Sequence, residues 1–252
     1  MTNPLEASRR KVTRAKEHIA DLEGKSRVFF DVNPYEIVIE PHPQEPEHEV
    51  HKLRLTQPIP ESFCSIAADA VHNIRSCLDT AVQQISIAAG RVKSDYMAFP
   101  FAGSLDKFES NMKGRSRDVP EDLYPLFRAF QPYQGGNDFL WALNKASNTD
   151  KHALLGVGIG SGLGNFLMTE GGLVSIPVRP PWDRLKNEVE LGTYISGKRT
   201  KYKMDFTLFV TFDEIPVIDG EPVLDVLHHF VSIVESILGA LEAESRRLGY
   251  IS

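Results

Sequence analysis

The amino-acid sequence predicts one α+β domain, a helical bundle of about three long helices with an inserted antiparallel β-sheet. Two observations predict this class. Apolar side chains recur at helical spacing in long stretches, and period-two alternation dominates the chain before the last of them. The domain, residues 1–252, divides into a helical core at about 1–24, 61–152 and 222–248 and β-rich parts at about 27–56 and 154–213.

The first predicted elements are a helix at residues 4–23 and a small group of strands. Apolar and long side chains repeat at helical spacing up to Gly24, which is a suitable helix stop. The period then changes to alternation, which predicts a hairpin around Asn33–Pro34. Its strands are expected at Val28–Asp31 and Tyr35–Glu40, and a third strand is expected in the stretch EVHKLRLTQPIP, which ends on Pro58 and Pro60.

Five further helices are predicted from apolar spacing and from residues that start or stop helices. The longest covers residues 61–89, begins at Pro60 and Glu61, and is closed by Gly90. Ser104 is the expected N-cap of a short helix at 105–112. The other three helices are expected from Pro120 to about Gln131, from Asn137 or Asp138 to about His152, and at 222–248.

The β-rich segment carries an unusual glycine pattern, with glycine at every second position from 156 to 164. Because alternate side chains lie on the same face of a strand, this spacing leaves one face bare. A bare face predicts that a helix or a ligand approaches the sheet closely.

Two short motifs resemble phosphate or nucleic-acid binding motifs, and each has a simpler interpretation. In GTYISGKRT, Arg199 replaces the Ser/Thr of a phosphate-binding loop and a strand is expected to follow, so a hairpin turn is predicted. The second motif is a basic run, expected to be a solvated helix face although it is the best nucleic-acid patch in the sequence. It consists of Arg9, Arg10, Lys11, Arg14 and Lys16.

Composition excludes several classes of protein. A net charge of -6 excludes general attraction to nucleic acid, although a local basic patch can still bind it. No apolar run reaches the ~18 residues of a membrane span, and the N-terminal segment is too charged for a secretory signal. Cys64 and Cys77 would lie about 20 Å apart on one helix, too far to bridge, so reduced thiols in the cytoplasm are expected.

The helix at 61–89 carries a polar stripe of unusual composition opposite its apolar face. Solvated helix faces usually contain Lys, Glu, Gln and Arg, whereas this stripe is rich in short side chains that are poor helix formers. Such side chains suit a face that is packed against another helix, a subunit or a ligand. Arg75 lies at its edge, beside His72 and Asp79. The stripe consists of Asp69, His72, Asn73, Ser76, Asp79, Thr80 and Gln83.

A second polar stripe, Asn144, Asn148, Lys151 and His152, lies at helical spacing on the helix that ends near residue 152. Two polar stripes on otherwise apolar helices would satisfy each other's hydrogen bonds if they faced. The predicted site combines catalytic His72, Arg75, Asp79 and His152 with binding residues Asn73, Ser76, Asn144, Asn148 and Lys151. A solvent-exposed helix face would produce the same pattern of polar residues, and so would a hydrogen-bond network that only fixes the register of the two helices.

The segments HNIRSCLDTAV and LNKASNTDKHALL resemble the motifs of an uncharacterised group of bacterial proteins, H-N-L-R-S-x-L-D-H and N-x-x-D-K-H. The first motif is in turn similar to that of the HEPN superfamily. The resemblance implies a helical bundle, usually dimeric, and often a ribonuclease of toxin–antitoxin or phage-defence systems. Arg75 and Ser76 match the motif, but Thr80 stands where the family has histidine. Cleavage of RNA would therefore need His72 or His152 as the acid–base group, with Arg75 stabilising phosphate charge.

Three functions follow as hypotheses. The first is a HEPN-like conflict or defence protein that binds or weakly cleaves RNA without a metal or other cofactor, as a cytoplasmic homodimer with no membrane partner. The second is a non-catalytic interaction or ligand-sensing protein, whose stripe binds a partner or a small anion. The third is a metal hydrolase, which the absence of H-x-x-x-H and C-x-x-C spacing disfavours. Its ligands would be Asp69, His72, His152 and one of His228 and His229.

Overall fold

The computed structural model describes residues 3–150, 157–177 and 181–252. The α-helices of these residues are α1 (Glu6–Asp31), α2 (Ser62–Ala88), α3 (Leu105–Lys113), α4 (Tyr124–Phe130), α5 (Asp138–Asp150) and α6 (Val223–Arg247). The strands are β1 (Tyr35–Pro41), β2 (His48–Leu55), β3 (Val157–Glu170), β4 (Leu173–Ser175), β5 (Glu188–Ile195) and β6 (Lys201–Phe212). The mixed α+β class and the antiparallel pairing of the strands are confirmed.

The described strands form two sheets rather than one. The larger has the order β1-β2-β5-β4, and the smaller pairs β3 with β6. The predicted hairpin turn in SGKRTK is therefore wrong, because the turn at 196–200 connects β5 of one sheet to β6 of the other. A strand does follow GTYISGKRT, as predicted, so no helix N-terminus is available there to hold a phosphate.

The three long helices α1, α2 and α6 pack against one another and supply most of the hydrophobic core. Helix α2 provides the largest share, with one face from Phe63 to Ile85 buried. The predicted bounds of this helix and of α6 are confirmed to within about a residue. The Ser104 cap is confirmed too, since its Oγ accepts a hydrogen bond of 3.3 Å from the Lys107 N–H. Both cysteines lie on α2, and they form no disulfide.

The end of the first helix was predicted wrongly. Helix α1 continues through Gly24 to Asp31, so Val28–Asp31 is helical and does not form a strand. Glycine in a helix costs roughly 1 kcal/mol. Burial offsets this cost, because Leu22, Ser26 and Phe29 continue the helical period on the buried face, and Phe29 meets Phe63 of α2 edge-on.

Helix α6 is, among the described residues, the one helix long and apolar enough to cross a membrane by length and composition. The buried helix of a protein core has the same two properties. In this chain Val226, Leu227, Phe230 and Val234 of α6 are buried in the core with α1 and α2. This packing accounts for the apolar composition of α6.

The glycine face of β3 is covered by side chains of its partner strand. A Cβ atom at Gly160 would lie 2.8 Å from Thr211 Cγ2 and 2.9 Å from Phe209 Cζ, both on β6. At Gly158 it would lie 2.6 Å from a carboxylate oxygen of Asp213. The bare face was predicted correctly, but it is approached by the neighbouring strand at Gly160 and by Asp213, the residue directly after that strand, at Gly158, rather than by a helix or a ligand.

We expect Gly160→Ala to lower the free energy of unfolding by about 1–3 kcal/mol, because Phe209 and Thr211 must move to admit the methyl group. Gly162→Ala is the matched control on the same strand, since the nearest atom to its added Cβ would be Phe209 Cε1 at 4.0 Å. Urea unfolding of the two variants measures the difference. Equal midpoints would show that the ring of Phe209 moves aside at no cost.

Candidate functional site

The centre of the site is Arg75, which joins α2 to α5. Its guanidinium is ion-paired with Asp79 on the next turn of α2, as predicted. Its Nε donates a hydrogen bond of 3.3 Å to Asn144 Oδ1 on α5, and its Cζ lies 5.1 Å from the centre of the Phe101 ring. Only 16% of the Arg75 side chain is exposed. The predicted contact between the two polar stripes is therefore present at Arg75 and Asn144.

Asp79 connects the same point to the segment that precedes α3. Its Oδ2 pairs with Arg75, and its Oδ1 accepts a hydrogen bond of 3.0 Å from the backbone N–H of Phe99. Both carboxylate oxygens are thus engaged in holding structure. The contact fixes the backbone at Phe99, two residues before the segment Phe101–Gly103 that lines a neighbouring pocket.

The other predicted residues of the α2 stripe do not join this contact. His72 is exposed, and the Asn73 amide donates to the carbonyl of Asp69 on its own helix. Ser76 lies roughly 100° around the helix from Arg75 and accepts a hydrogen bond of 3.1 Å from Lys11 of α1. The stripe is therefore divided between two neighbouring helices, and the expectation that it forms one wall is wrong.

Two of the predicted α5 residues can be placed. Asn144 is half-buried at the contact with Arg75, and Asn148 is exposed one turn further along. Lys151 and His152 lie outside the described residues. The structure thus brings together Arg75, Asp79 and Asn144, with Asn148 nearby on the same helix face.

A pocket of about 320 Å³ opens beside the Arg75–Asn144 contact, between α3, α5 and the segment before α3. Its described lining contains three cations, three amides and one indole, and none of these residues is acidic. We call it the basic pocket. It is lined by Phe101, Ala102, Gly103, Lys107, Ser110, Asn111, Arg115, Trp141, Asn144, Lys145 and Asn148.

The electrostatics of the basic pocket favour an anion. Burial lowers the pKa of Arg75, and repulsion by the nearby charge of Arg115 lowers it further. Arginine still remains charged at any ordinary pH. The charge of Arg75 is balanced by Asp79, so the positive potential of the pocket comes from the cations of its own lining, Lys107 and Arg115 above all, and a bound anion would relieve it.

The basic run on α1 has the opposite character. Four of its five cations are ion-paired with carboxylates, and the fifth, Lys11, donates to Ser76. The pairs are Arg9–Glu242, Arg10–Glu6, Arg14–Glu17 and Lys16–Glu235. The run is a charge-balanced helix surface, as the simpler interpretation predicted. At the basic pocket, by contrast, Lys107 and Arg115 form no ion pair with any described residue and share the lining with no acidic side chain.

The residues of the described ranges offer no support for a metal site. No group of three or more His, Cys, Asp or Glu side chains among them is placed to hold a metal ion. His228 and His229 are both exposed, and the ring of His229 packs edge-on against Phe139 at 4.6 Å. His152, the remaining histidine of the metal hypothesis, lies outside the described residues.

Comparison of the chain with protein-family models, with curated proteins and with solved structures finds no match. The resemblance of the two sequence motifs to the uncharacterised bacterial group, and of the first motif to the HEPN superfamily, therefore stays a prediction. Function is inferred below from the chemistry of the basic pocket and of the residues around it.

Proposed function

We propose that this protein binds RNA through the basic pocket, without cleaving it. The observation that carries the proposal is the lining of the pocket. Lys107, Arg115 and Lys145 meet there with no acidic residue in the described lining, although the whole chain has a net charge of -6. Lysine and arginine are the principal ligands of nucleic-acid phosphates, and amide groups such as those of Asn111 and Asn148 add hydrogen bonds.

Binding fits the described geometry better than cleavage does. A metal-independent ribonuclease needs a group that takes a proton from the ribose 2′-hydroxyl and one that protonates the leaving oxygen. Thr80, at the position of the family histidine, donates its hydroxyl to the Ser76 carbonyl at 3.0 Å. His72 is exposed and does not line the pocket, and Asp79 holds Arg75 and Phe99.

The remaining expectations belong to the same proposal. We treat the three long helices as a HEPN-like bundle into which the sheets are inserted, and the protein as a cytoplasmic homodimer of a bacterial conflict or defence system. The dimer rests on the resemblance and on the short polar side chains of α2. A mass by light scattering equal to the 28.2 kDa of one chain would contradict the expected homodimer.

A small phosphorylated ligand is the second candidate, because the pocket volume of about 320 Å³ lies at the lower end for small-molecule sites. The cations that would bind an RNA phosphate would bind a free phosphate group in the same way. Inorganic phosphate or pyrophosphate that binds more tightly than an oligonucleotide would favour this candidate.

Fluorescence anisotropy of a labelled single-stranded oligoribonucleotide tests the proposal. We expect Lys107→Ala/Arg115→Ala to weaken binding at least tenfold and to reduce the slope of log affinity against log salt by about 1.4, since each lost phosphate contact on a single strand removes about 0.7. Both side chains are exposed, so the fold should be retained.

Arg10→Ala/Lys16→Ala is the matched control, because it removes the same number of positive charges from α1, where Arg10 is ion-paired with Glu6 and Lys16 with Glu235 of α6. We expect its affinity to stay within about twofold of wild type. Equal losses in the two variants would show that net charge alone governs binding and would overturn the assignment of the pocket. Incubation of the RNA with the protein in EDTA tests the second half of the proposal, and cleavage that His72→Ala, His152→Ala or Asp79→Asn abolishes would overturn it.

A further inference from the structure

The indole of Trp141 gives the basic pocket an aromatic wall. Trp141 lies on α5, with Asn144, Lys145 and Asn148 at the i+3, i+4 and i+7 positions of the same helix face. The side chain is half-buried, so part of the ring packs on the core while the rest lines the pocket. The other aromatic residue of the lining, Phe101, is buried and lies against the Arg75 guanidinium. Trp141 is therefore the ring with free surface.

Two amides of the pocket are held in defined orientations. Asn144 accepts from Arg75 Nε through its Oδ1, which leaves its NH₂ group to donate. Asn111 donates its Nδ2 to the Phe101 carbonyl at 2.7 Å, which leaves its Oδ1 to accept. The pocket thus presents one oriented donor and one oriented acceptor beside the indole. The edge of a nucleobase carries both kinds of group.

We infer that the basic pocket binds an unpaired nucleotide, with the base against the Trp141 indole and the phosphate at Lys107, Arg115 and Lys145. This inference rests on the proposed function and names the form of RNA that the site takes. Aromatic side chains stack on unpaired bases, whereas the bases of a duplex are covered by their neighbours. Arg75 acts as a positioning residue, because it orients Asn144 and does not itself line the pocket.

Tryptophan fluorescence separates base stacking from phosphate binding. The chain has two tryptophans, so Trp182→Phe leaves Trp141 as the only indole. We expect a single-stranded oligoribonucleotide to quench this fluorescence. Inorganic polyphosphate should compete for the site without quenching, and a duplex of the same sequence should quench weakly. Trp141→Leu should weaken single-strand binding by on the order of tenfold and leave polyphosphate affinity unchanged, while Trp141→Phe should restore most of the loss.

The outcomes distinguish the inference from the proposed function. If RNA and polyphosphate bind through Lys107 and Arg115 but neither strand form quenches Trp141, the stacking inference is wrong and the proposed function stands. Equal affinity for single strand and duplex would have the same meaning. If no polyanion binds, the proposed function fails and the inference fails with it. Should Trp141→Leu unfold, the quenching measured in Trp182→Phe decides alone.

Discussion

Replacing Asp79 with alanine should lower the free energy of unfolding by about 3 kcal/mol. The substitution leaves the largely buried Arg75 guanidinium without its carboxylate and the Phe99 N–H without its acceptor. Removing one partner of a buried ion pair costs about 3–5 kcal/mol. We take the lower end because 31% of the Asp79 side chain is exposed.

Two further variants divide this effect into its parts. Asp79→Asn keeps an acceptor for Phe99 and should cost less than Asp79→Ala. In Arg75→Ala/Asp79→Ala the uncompensated charge is gone, so the loss of unfolding free energy should be smaller than the sum of the losses in the two single variants.

Asp21→Ala is the matched control, because Asp21 pairs with Lys25 at the same spacing on the surface of α1. It should change stability by less than about 0.5 kcal/mol, and an equal loss in Asp21→Ala and Asp79→Ala would place Arg75–Asp79 among ordinary surface pairs.

Glu188→Ala should lower the free energy of unfolding by about 2–4 kcal/mol. Glu188 is on β5, only 5% of its side chain is exposed, and it accepts hydrogen bonds of 2.9 Å from Lys52 and 2.8 Å from Arg54 of β2. Both cations also bind Glu40 of β1, so the four charges connect three strands. Loss of Glu188 leaves two partly buried cations with one carboxylate.

Glu190→Ala is the control for Glu188→Ala, because Glu190 is exposed two residues further along β5. We expect its unfolding free energy to fall by less than about 0.5 kcal/mol. Urea unfolding of both variants at neutral pH makes the comparison. Similar midpoints would show that the four-charge network does not contribute to stability.

The same network makes stability fall in acid. Hydrogen bonds from Lys52 and Arg54 lower the pKa of Glu40 from 4.5 to about 2. Burial alone would raise the pKa of Glu188, but the hydrogen bonds from the same cations outweigh it and lower the pKa. A lowered folded-state pKa contributes stability that is present above about pH 4.5 and is lost as the pH falls towards 2. Glu40→Gln should remove about 1 kcal/mol of this dependence, a value reduced for the exposure of Glu40.

Sequence patterns predicted a feature correctly where all the residues that determine it lie close together on one helix. The bounds of α2, the Ser104 cap and the Arg75–Asp79 pair all depend on spacing within a few residues. The end of α1 was missed because Gly24 is a helix stop only when burial does not continue beyond it, and Phe29 packs on Phe63. Such a contact lies in tertiary structure and leaves no local signal.

The candidate site was predictable only in part for the same reason. Asn144 and Arg75 stand out because each is a polar residue in an apolar helix, and they do meet. Lys107 and Arg115 look like ordinary surface residues in the sequence, and only the packing of α3 beside α5 makes them neighbours of Lys145. Trp141 likewise resembles a core residue until its half-exposed position is known.

The order of the larger sheet leaves β1 as an edge strand, within the described residues, whose outer backbone groups can pair with another chain. Ile37 and Ile39 are exposed on this strand, a combination that favours edge-to-edge aggregation. Glu36 and Glu40 flank this segment, and the charge of the exposed Glu36 opposes the approach of a second copy of the same strand. Protonation of Glu40 as the pH falls towards 2 weakens the ion network that holds β1 to β2, so light scattering should rise together with the loss of native structure over the same pH range.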